Sequence, residues 1–194
     1  AAIRTWDGST YTTIAGSPQA DCLSMIKNRV VANAVNEPDS VYLSAPNDET
    51  DWNTAGSAVG LRAGFGDGLK VNGFAVLGDD LFISKVGRST TSAKKIYRLN
   101  VAALTTTSWY CEHFSSNNAF VAHQCAVSAF NNVYFADTNG FKTVKGIQEY
   151  GDLAVLPAGI KVNSILENAV CTQMAFTASY DAIWFLVSNR IYCY

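Results

Sequence analysis

Gly73-Phe74-Ala75-Val76-Leu77, the polar pair Asp79-Asp80 and Leu81-Phe82-Ile83-Ser84 read as strand, tight turn, strand. Two apolar runs joined by a short polar turn are the local mark of a β-hairpin. The pattern recurs three times. Cys22-Leu23-Ser24-Met25-Ile26 leads through Asn28-Arg29 into Val30-Val31-Ala32-Asn33-Ala34-Val35. Cys125-Ala126-Val127-Ser128-Ala129-Phe130 leads through Asn131-Asn132 into Val133-Tyr134-Phe135-Ala136. Met174-Ala175-Phe176-Thr177-Ala178 leads through Tyr180-Asp181 into Ala182-Ile183-Trp184-Phe185-Leu186-Val187. The second residues of these pairs stand at 29, 80, 132 and 181, in steps of 51, 52 and 49. A third run follows each hairpin: Val41–Ser44, Ile96–Leu99, Phe141–Val144 and Ile191–Tyr194. Asn139-Gly140, a strong hairpin signal, introduces the third of them.

Short strands on a period near fifty predict an all-β fold of the β-propeller type, with about four blades in this chain. The blades are expected at roughly 20–60, 70–115, 120–150 and 165–194, within one propeller domain or segment spanning 1–194. The inner runs are almost continuously apolar, as strands covered on both faces should be. A β-sandwich also uses short strands but needs no such period. Ile3 to Ile14, with Asp7-Gly8 at its centre, reads as the outer hairpin of a preceding or closing blade, over 1–16. Val162 to Met174 is rich in Val, Asn, Ser and Thr and makes a poor helix. The chain opens at Ala1 and stops within an apolar run at Tyr194, so a segment of a larger propeller is the expectation.

Composition narrows the function classes. Hydrophobic residues make up 48% of the 194, enough for a sizeable core, while only 15% are charged. The surface is therefore expected to be polar but largely uncharged, which suits contact with other protein. The net charge is −2 and no basic tract exceeds Lys94-Lys95. Sequence-independent nucleic-acid binding neutralises several phosphates at once, so binding of DNA on an outer surface is disfavoured. A neutral channel wall past which DNA slides remains compatible. No apolar run reaches the roughly 18 residues of a membrane span, and no signal peptide is visible. The five cysteines are widely spaced without a Cys-x-x-Cys, which reads as reduced, mostly buried thiols.

Met25-Ile26-Lys27-Asn28-Arg29-Val30, then Val41-Tyr42-Leu43-Ser44-Ala45, then Asp48-Glu49-Thr50-Asp51-Trp52 resembles a pattern in the tail proteins of short-tailed bacteriophages. In that pattern a strand ending in Asn-Arg leads to a Tyr-x-Ser strand and to an acidic loop closed by Asp-Trp. Gly78 to Lys85, Lys95 to Leu99 and Asn132 to Gly140 are similar to the same families. These are the tail nozzle, or tail tubular protein B, and the tail hub or head-stabilising proteins. The resemblance covers roughly residues 20 to 194. It implies a β-propeller in a ring-forming, usually hexameric, component of the virion tail, assembled in the host cytoplasm, through which the genome leaves. Its partners would be subunits of the same ring and neighbouring tail proteins. The platform and tip domains of such proteins are not seen in this sequence.

Several clusters could carry chemistry. Cys111, His113, His123 and Cys125 are ligand types for zinc, and Cys-x-His places both side chains on one strand face. The plainer reading makes Trp109–Phe114 and Val121–Val127 neighbouring strands with alternating core residues. Asp48, Glu49 and Asp51 lack the alternate ligand spacing and the glycine of a calcium loop, and read as a solvated tip anchored by Trp52. Gly64-Phe65-Gly66-Asp67-Gly68 leads into a strand and no helix, so it reads as a flexible loop between blades rather than a phosphate cradle. Trp6-Asp7-Gly8-Ser9-Thr10-Tyr11 faintly resembles the Asp-box of sialidase-type propellers, a turn-stabilising and non-catalytic element. Trp109, Tyr110, Phe114 and Phe120 would stack a sugar or, more simply, fill the space between blades. No nucleophile elbow, zincin helix or convincing carboxylate pair appears. The reading therefore assigns no catalytic, cofactor or metal residue and expects a structural protein rather than an enzyme. A glycan-binding or glycan-cleaving propeller and a cellular protein-interaction propeller are the rival classes.

Overall fold

A computed structural model describes residues 1–55, 57–87, 93–103, 105–146, 153–158 and 171–194. The chain is all-β, built of consecutive antiparallel sheets, with no α-helix among the described residues. It forms two compact units, Ala1–Ser116 and Asn117–Tyr194.

The first unit opens with a two-stranded hairpin, β1 (Arg4–Trp6) and β2 (Tyr11–Thr13). The first four-stranded sheet follows, from β3 (Leu23–Ile26), β4 (Arg29–Ala34), β5 (Glu37–Leu43) and β6 (Val59–Arg62). The second holds β7 (Lys70–Leu77), β8 (Asp80–Val86), β9 (Lys94–Asn100) and β10 (Cys111–Ser116). In each, every strand pairs with its sequence neighbour, giving an up-and-down meander. The second unit repeats the plan. Its first sheet has β11 (Ala126–Ala129), β12 (Asn132–Asp137), β13 (Gly140–Gly146) and β14 (Leu153–Pro157). Its second sheet has β15 (Cys171–Thr177), β16 (Ala182–Val187) and β17 (Arg190–Cys193).

Two details differ from the sequence reading. The hairpin turns lie one residue earlier, at Lys27-Asn28, Gly78-Asp79 and Phe130-Asn131, since Arg29, Asp80 and Asn132 already pair with Ile26, Leu77 and Ala129. Lys27, Asn28, Phe130 and Asn131 all take positive φ, between 45° and 59°. This is the twist that a two-residue link between right-handed strands requires, and Asn, at the second position of two of these links, tolerates it better than most side chains. The other difference is a fourth strand, β6, β10 or β14, on the outside of three of the sheets, where three runs were expected. The segment 162–170, expected to be poorly helical, lies outside the described residues; 171–174 is strand.

Alternation along the strands builds two apolar layers on the first sheet. Val31, Val41 and Leu43 pack toward Val71, Phe74, Leu81, Ile83 and Leu99 of the second sheet. Ala32 and Tyr42 face the other way, onto Ile3, Ile14 and Trp52. The first strand of one sheet lies beside the first strand of the next, β3 beside β7. Their matching turns meet in an ion pair, Lys27 to Asp79 at 2.9 Å, too exposed to contribute much stability. The second unit shows the same neighbourhood, β11 beside β15, around a core of Phe141, Ile183, Phe185 and Val187.

Candidate functional site

Strand β5 presents a different polar arrangement on each of its faces. On the face toward the second sheet it carries Asp39. There Lys85, one residue before the end of the largely apolar β8, is completely buried. Its ammonium donates to Asp39 Oδ1 at 2.6 Å, to Asp67 Oδ1 at 2.7 Å and to the carbonyls of Ala63 and Gly64 at 2.6 and 3.2 Å. The Tyr97 ring lies 5.5 Å from Nζ, and its hydroxyl donates to Asp67 Oδ2 at 3.0 Å. Lys95 approaches the same carboxylate at 3.5 Å. The backbone N–H of Gly66 donates to Asp39 Oδ2 and that of Leu69 to Asp67 Oδ1, at 2.9 and 3.0 Å. Gly64 has φ +63°, and a Cβ there would stand 2.0 Å from the Tyr97 hydroxyl oxygen.

The glycine-rich loop is thus wrapped around an internal cation rather than left flexible, which corrects the expectation for residues 64–68. An ammonium with three protons facing two carboxylates and two carbonyls is fully solvated by protein, which offsets the cost of its burial. Reacting with a substrate would require this cluster to open, so it serves as a lock between two sheets.

The electrostatics fit that role. Burial pushes the Asp67 carboxyl up, but the Lys85 contact, the Leu69 N–H and the Tyr97 hydroxyl outweigh it, and the carboxyl lies below its ordinary 3.8. Burial, then the Asp67 contact, push the Tyr97 phenol from 10.0 up to about 12. The signs are opposite. Asp67 contributes stability that is present above its unfolded value and is lost as the pH falls through the lowered one. Tyr97 contributes stability that is present below pH 10 and is lost as the pH rises toward about 12. Thermal unfolding followed against pH should show both limbs, and Tyr97→Phe should remove the Tyr97 part of the alkaline one. An unchanged alkaline slope in that variant would contradict the assignment.

On its other face β5 helps to form a concavity of about 330 Å³, lined among others by Gln19, Asn36, Glu37, Tyr42, Trp52 and Asn53. Ser40 and Tyr42 both donate to Glu37 Oε2, at 2.7 and 2.9 Å. The Ser40 contact, then that of Tyr42, hold the Glu37 carboxyl below its ordinary range. The Tyr42 ring lies against Gly60, where a Cβ would approach within 3.0 Å. Gly16, with φ +77°, leaves room for the Asn53 amide, which a Cβ would meet at 2.2 Å.

A third polar group holds the first sheet to the loop before β10. The Arg29 guanidinium donates to the Ser44 carbonyl at 2.7 Å and to that of Ser57, and lies 5.2 Å over the Trp109 ring. Asp80 receives Arg98 through two nitrogens at 2.9 and 3.0 Å and Asn100 at 2.7 Å, tying β8 to β9.

The clusters singled out in the sequence are placed as follows. Cys111 and His113 lie on β10 of the first unit, while His123 and Cys125 form a single 3-10 turn in the second. The stretches 109–114 and 121–127 are therefore not neighbouring strands of one sheet. Among the described residues no group of three or more His, Cys, Asp or Glu could hold a metal. His113 instead sits edge-on to Tyr97 at 5.7 Å, and burial pushes the Cys111 thiol up to about 12. The acidic loop spends its carboxylates on its own turns: Asp48 on Thr50, Asp51 on Asn53 and Thr54. Trp52 is buried beneath it and donates to the Glu49 carbonyl at 2.8 Å. Asp7 caps its turn through Ser9 and Thr10, and leaves Trp6 and Tyr11 as an exposed ring pair 4.5 Å apart. Phe114 packs edge-on to Phe82, and Phe120 against Phe135, as filling between side chains. Tyr110 is exposed.

Lys85, Asp39 and Tyr97 received no role in the sequence reading. The one local signal is a lysine inside an apolar strand, Leu81 to Val86. No family model matches the chain, and no curated protein matches it. Among the described residues no helix is long and apolar enough to cross a membrane.

Proposed function

We propose that this chain is a β-propeller segment with a structural, non-catalytic role, its sheets following one another as blades around a common axis. The observation that carries the reading is the repeated adjacency of first strands, β3 beside β7 and β11 beside β15, in sheets whose strands pair in chain order. Innermost strands of successive propeller blades stand in that relation. The charged residues support it, because the fully buried Lys85, with its partners Asp39 and Asp67, holds one sheet and its loop to another.

The sequence resemblance to tail nozzle and hub proteins takes the proposal one step further. On that reading the propeller belongs to a ring-forming component of a bacteriophage tail, in contact with copies of itself and with neighbouring tail proteins, around the conduit by which DNA leaves. A weakly charged surface suits subunit contact and passage of DNA without capture. Electron microscopy and sedimentation of the full polypeptide test it. Rotationally symmetric rings, sixfold by the resemblance, are the expected result; a monomer that stays monomeric at high concentration would overturn it.

A further inference from the structure

We propose that the concavity on the outer face of β5 is a binding site for a neutral sugar residue. Its volume of about 330 Å³ lies at the small end of ligand pockets, the size of a monosaccharide unit rather than of a nucleotide. Its walls combine the two chemistries that a sugar presents. The half-buried Tyr42 ring, with the accessible edge of the buried Trp52 in the wall, supplies apolar surface for the C–H face of a pyranose. Gln19, Asn36 and Asn53 supply amides, each able to donate and accept at once, as a hydroxyl also does. None of these three amide side chains makes a hydrogen bond to protein among the described residues.

Glu37 sets the charge preference. Both hydroxyls that reach it, from Ser40 and Tyr42, are on Oε2, and Oε1 accepts no further hydrogen bond from protein among the described residues. Those donors, with a lesser pull from the Arg62 cation, hold the carboxyl below its ordinary range, and no cation is among the residues that line the pocket. An anion in the wall accepts from sugar hydroxyls and repels acidic sugars and phosphates. The site is also pre-shaped. Gly60 admits the Tyr42 ring and Gly16 the Asn53 amide, as the approaches of 3.0 and 2.2 Å to their absent Cβ atoms show.

The inference stands whether or not the chain belongs to a virion. The test is titration of the full chain with D-glucose, D-galactose and N-acetyl-D-glucosamine, with N-acetylneuraminic acid as the acidic probe, by saturation-transfer NMR and calorimetry. Saturable binding of at least one neutral sugar is expected, with the acidic one excluded. Glu37→Gln and Asn36→Ala should each weaken it by about tenfold, the scale of one lost hydrogen bond to a charged or well-placed group, at an unchanged unfolding temperature. The proposal is overturned if none of the three neutral sugars binds saturably. It is equally overturned if the acidic sugar binds more tightly, or if both folded variants bind as the parent does.

Discussion

Lys85→Met is expected to lower the stability of the first unit by about 3–5 kcal/mol, the usual cost of removing one partner from a buried ion pair. Methionine fills nearly the same volume, so the loss is electrostatic. Asp39 and Asp67 would remain, with side chains only 14% and 10% exposed, each within 2.7 Å of a cation that is no longer there. Two carboxylates facing each other without it must take up protons or drag the 63–69 loop into water. Protonation weakens, and opening of the loop breaks, the hydrogen bonds that the Gly66 and Leu69 N–H groups donate to those carboxylates. Urea unfolding read by the fluorescence of Trp6, Trp52 and Trp109 should show a lower midpoint at similar slope. Replacing all three charges together, Lys85→Met with Asp39→Asn and Asp67→Asn, should cost less than the single change, because no buried charge is left unmatched. A single variant within about 1 kcal/mol of the parent would show the cluster to behave as a surface pair.

Phe141→Ala should cost the second unit a similar amount, about 3–5 kcal/mol, by the loss of transfer free energy together with the cavity left behind. The ring is fully buried and meets three others: Phe185 edge-on at 4.8 Å, Tyr194 edge-on at 5.3 Å and Tyr134 stacked at 5.6 Å. These contacts join β12 and β13 to the sheet formed by β15, β16 and β17, so truncation loosens both sheets of the unit. Trp184, on β16, reports the change. Phe141→Leu should lose clearly less, since most of the volume stays. Equal losses for the two variants would mean that ring geometry, rather than the cavity, sets the cost.

The hairpins were legible because each leaves a local trace, an apolar run on either side of a two-residue turn. What failed locally was the turn position, by one residue. Pairing, rather than polarity, decides where a strand starts, and Arg29 and Asp80 are polar residues that already sit in the ladder. Of the outer strands only β10 leaves a trace in the sequence, the strand read over Trp109–Phe114, two residues early and without a place in the blade. Cys111 to Ser116 is half exposed and mostly polar, and Val59-Gly60-Leu61-Arg62 contains a glycine that only makes sense once the Tyr42 ring is seen across it. Neither carries an apolar run of the kind that marks the inner strands.

The lock and the sugar pocket were beyond sequence reasoning because their residues are far apart along the chain. Asp39, Asp67, Lys85 and Tyr97 come from three strands and a loop, and Gln19, Asn36, Glu37, Tyr42, Trp52 and Asn53 from four separate segments. Their types carry no motif, and only the register of β5 brings the two groups to opposite faces of one strand. The glycine-rich loop was read as slack because glycines usually mean freedom. Here Gly64 is required by the approach of the Tyr97 hydroxyl, and the loop is closed by charge.

The proposed propeller arrangement is tested most directly by distances between spin labels at equivalent positions of the four first strands. Met25, Val76, Ser128 and Phe176 each stand one residue before the end of β3, β7, β11 and β15. With labels introduced as unnatural amino acids, the separations Met25–Val76, Val76–Ser128 and Ser128–Phe176 should be alike, each shorter than Met25–Ser128. A Val76–Ser128 separation well beyond the other two, or a Met25–Ser128 separation shorter than Met25–Val76, would contradict it.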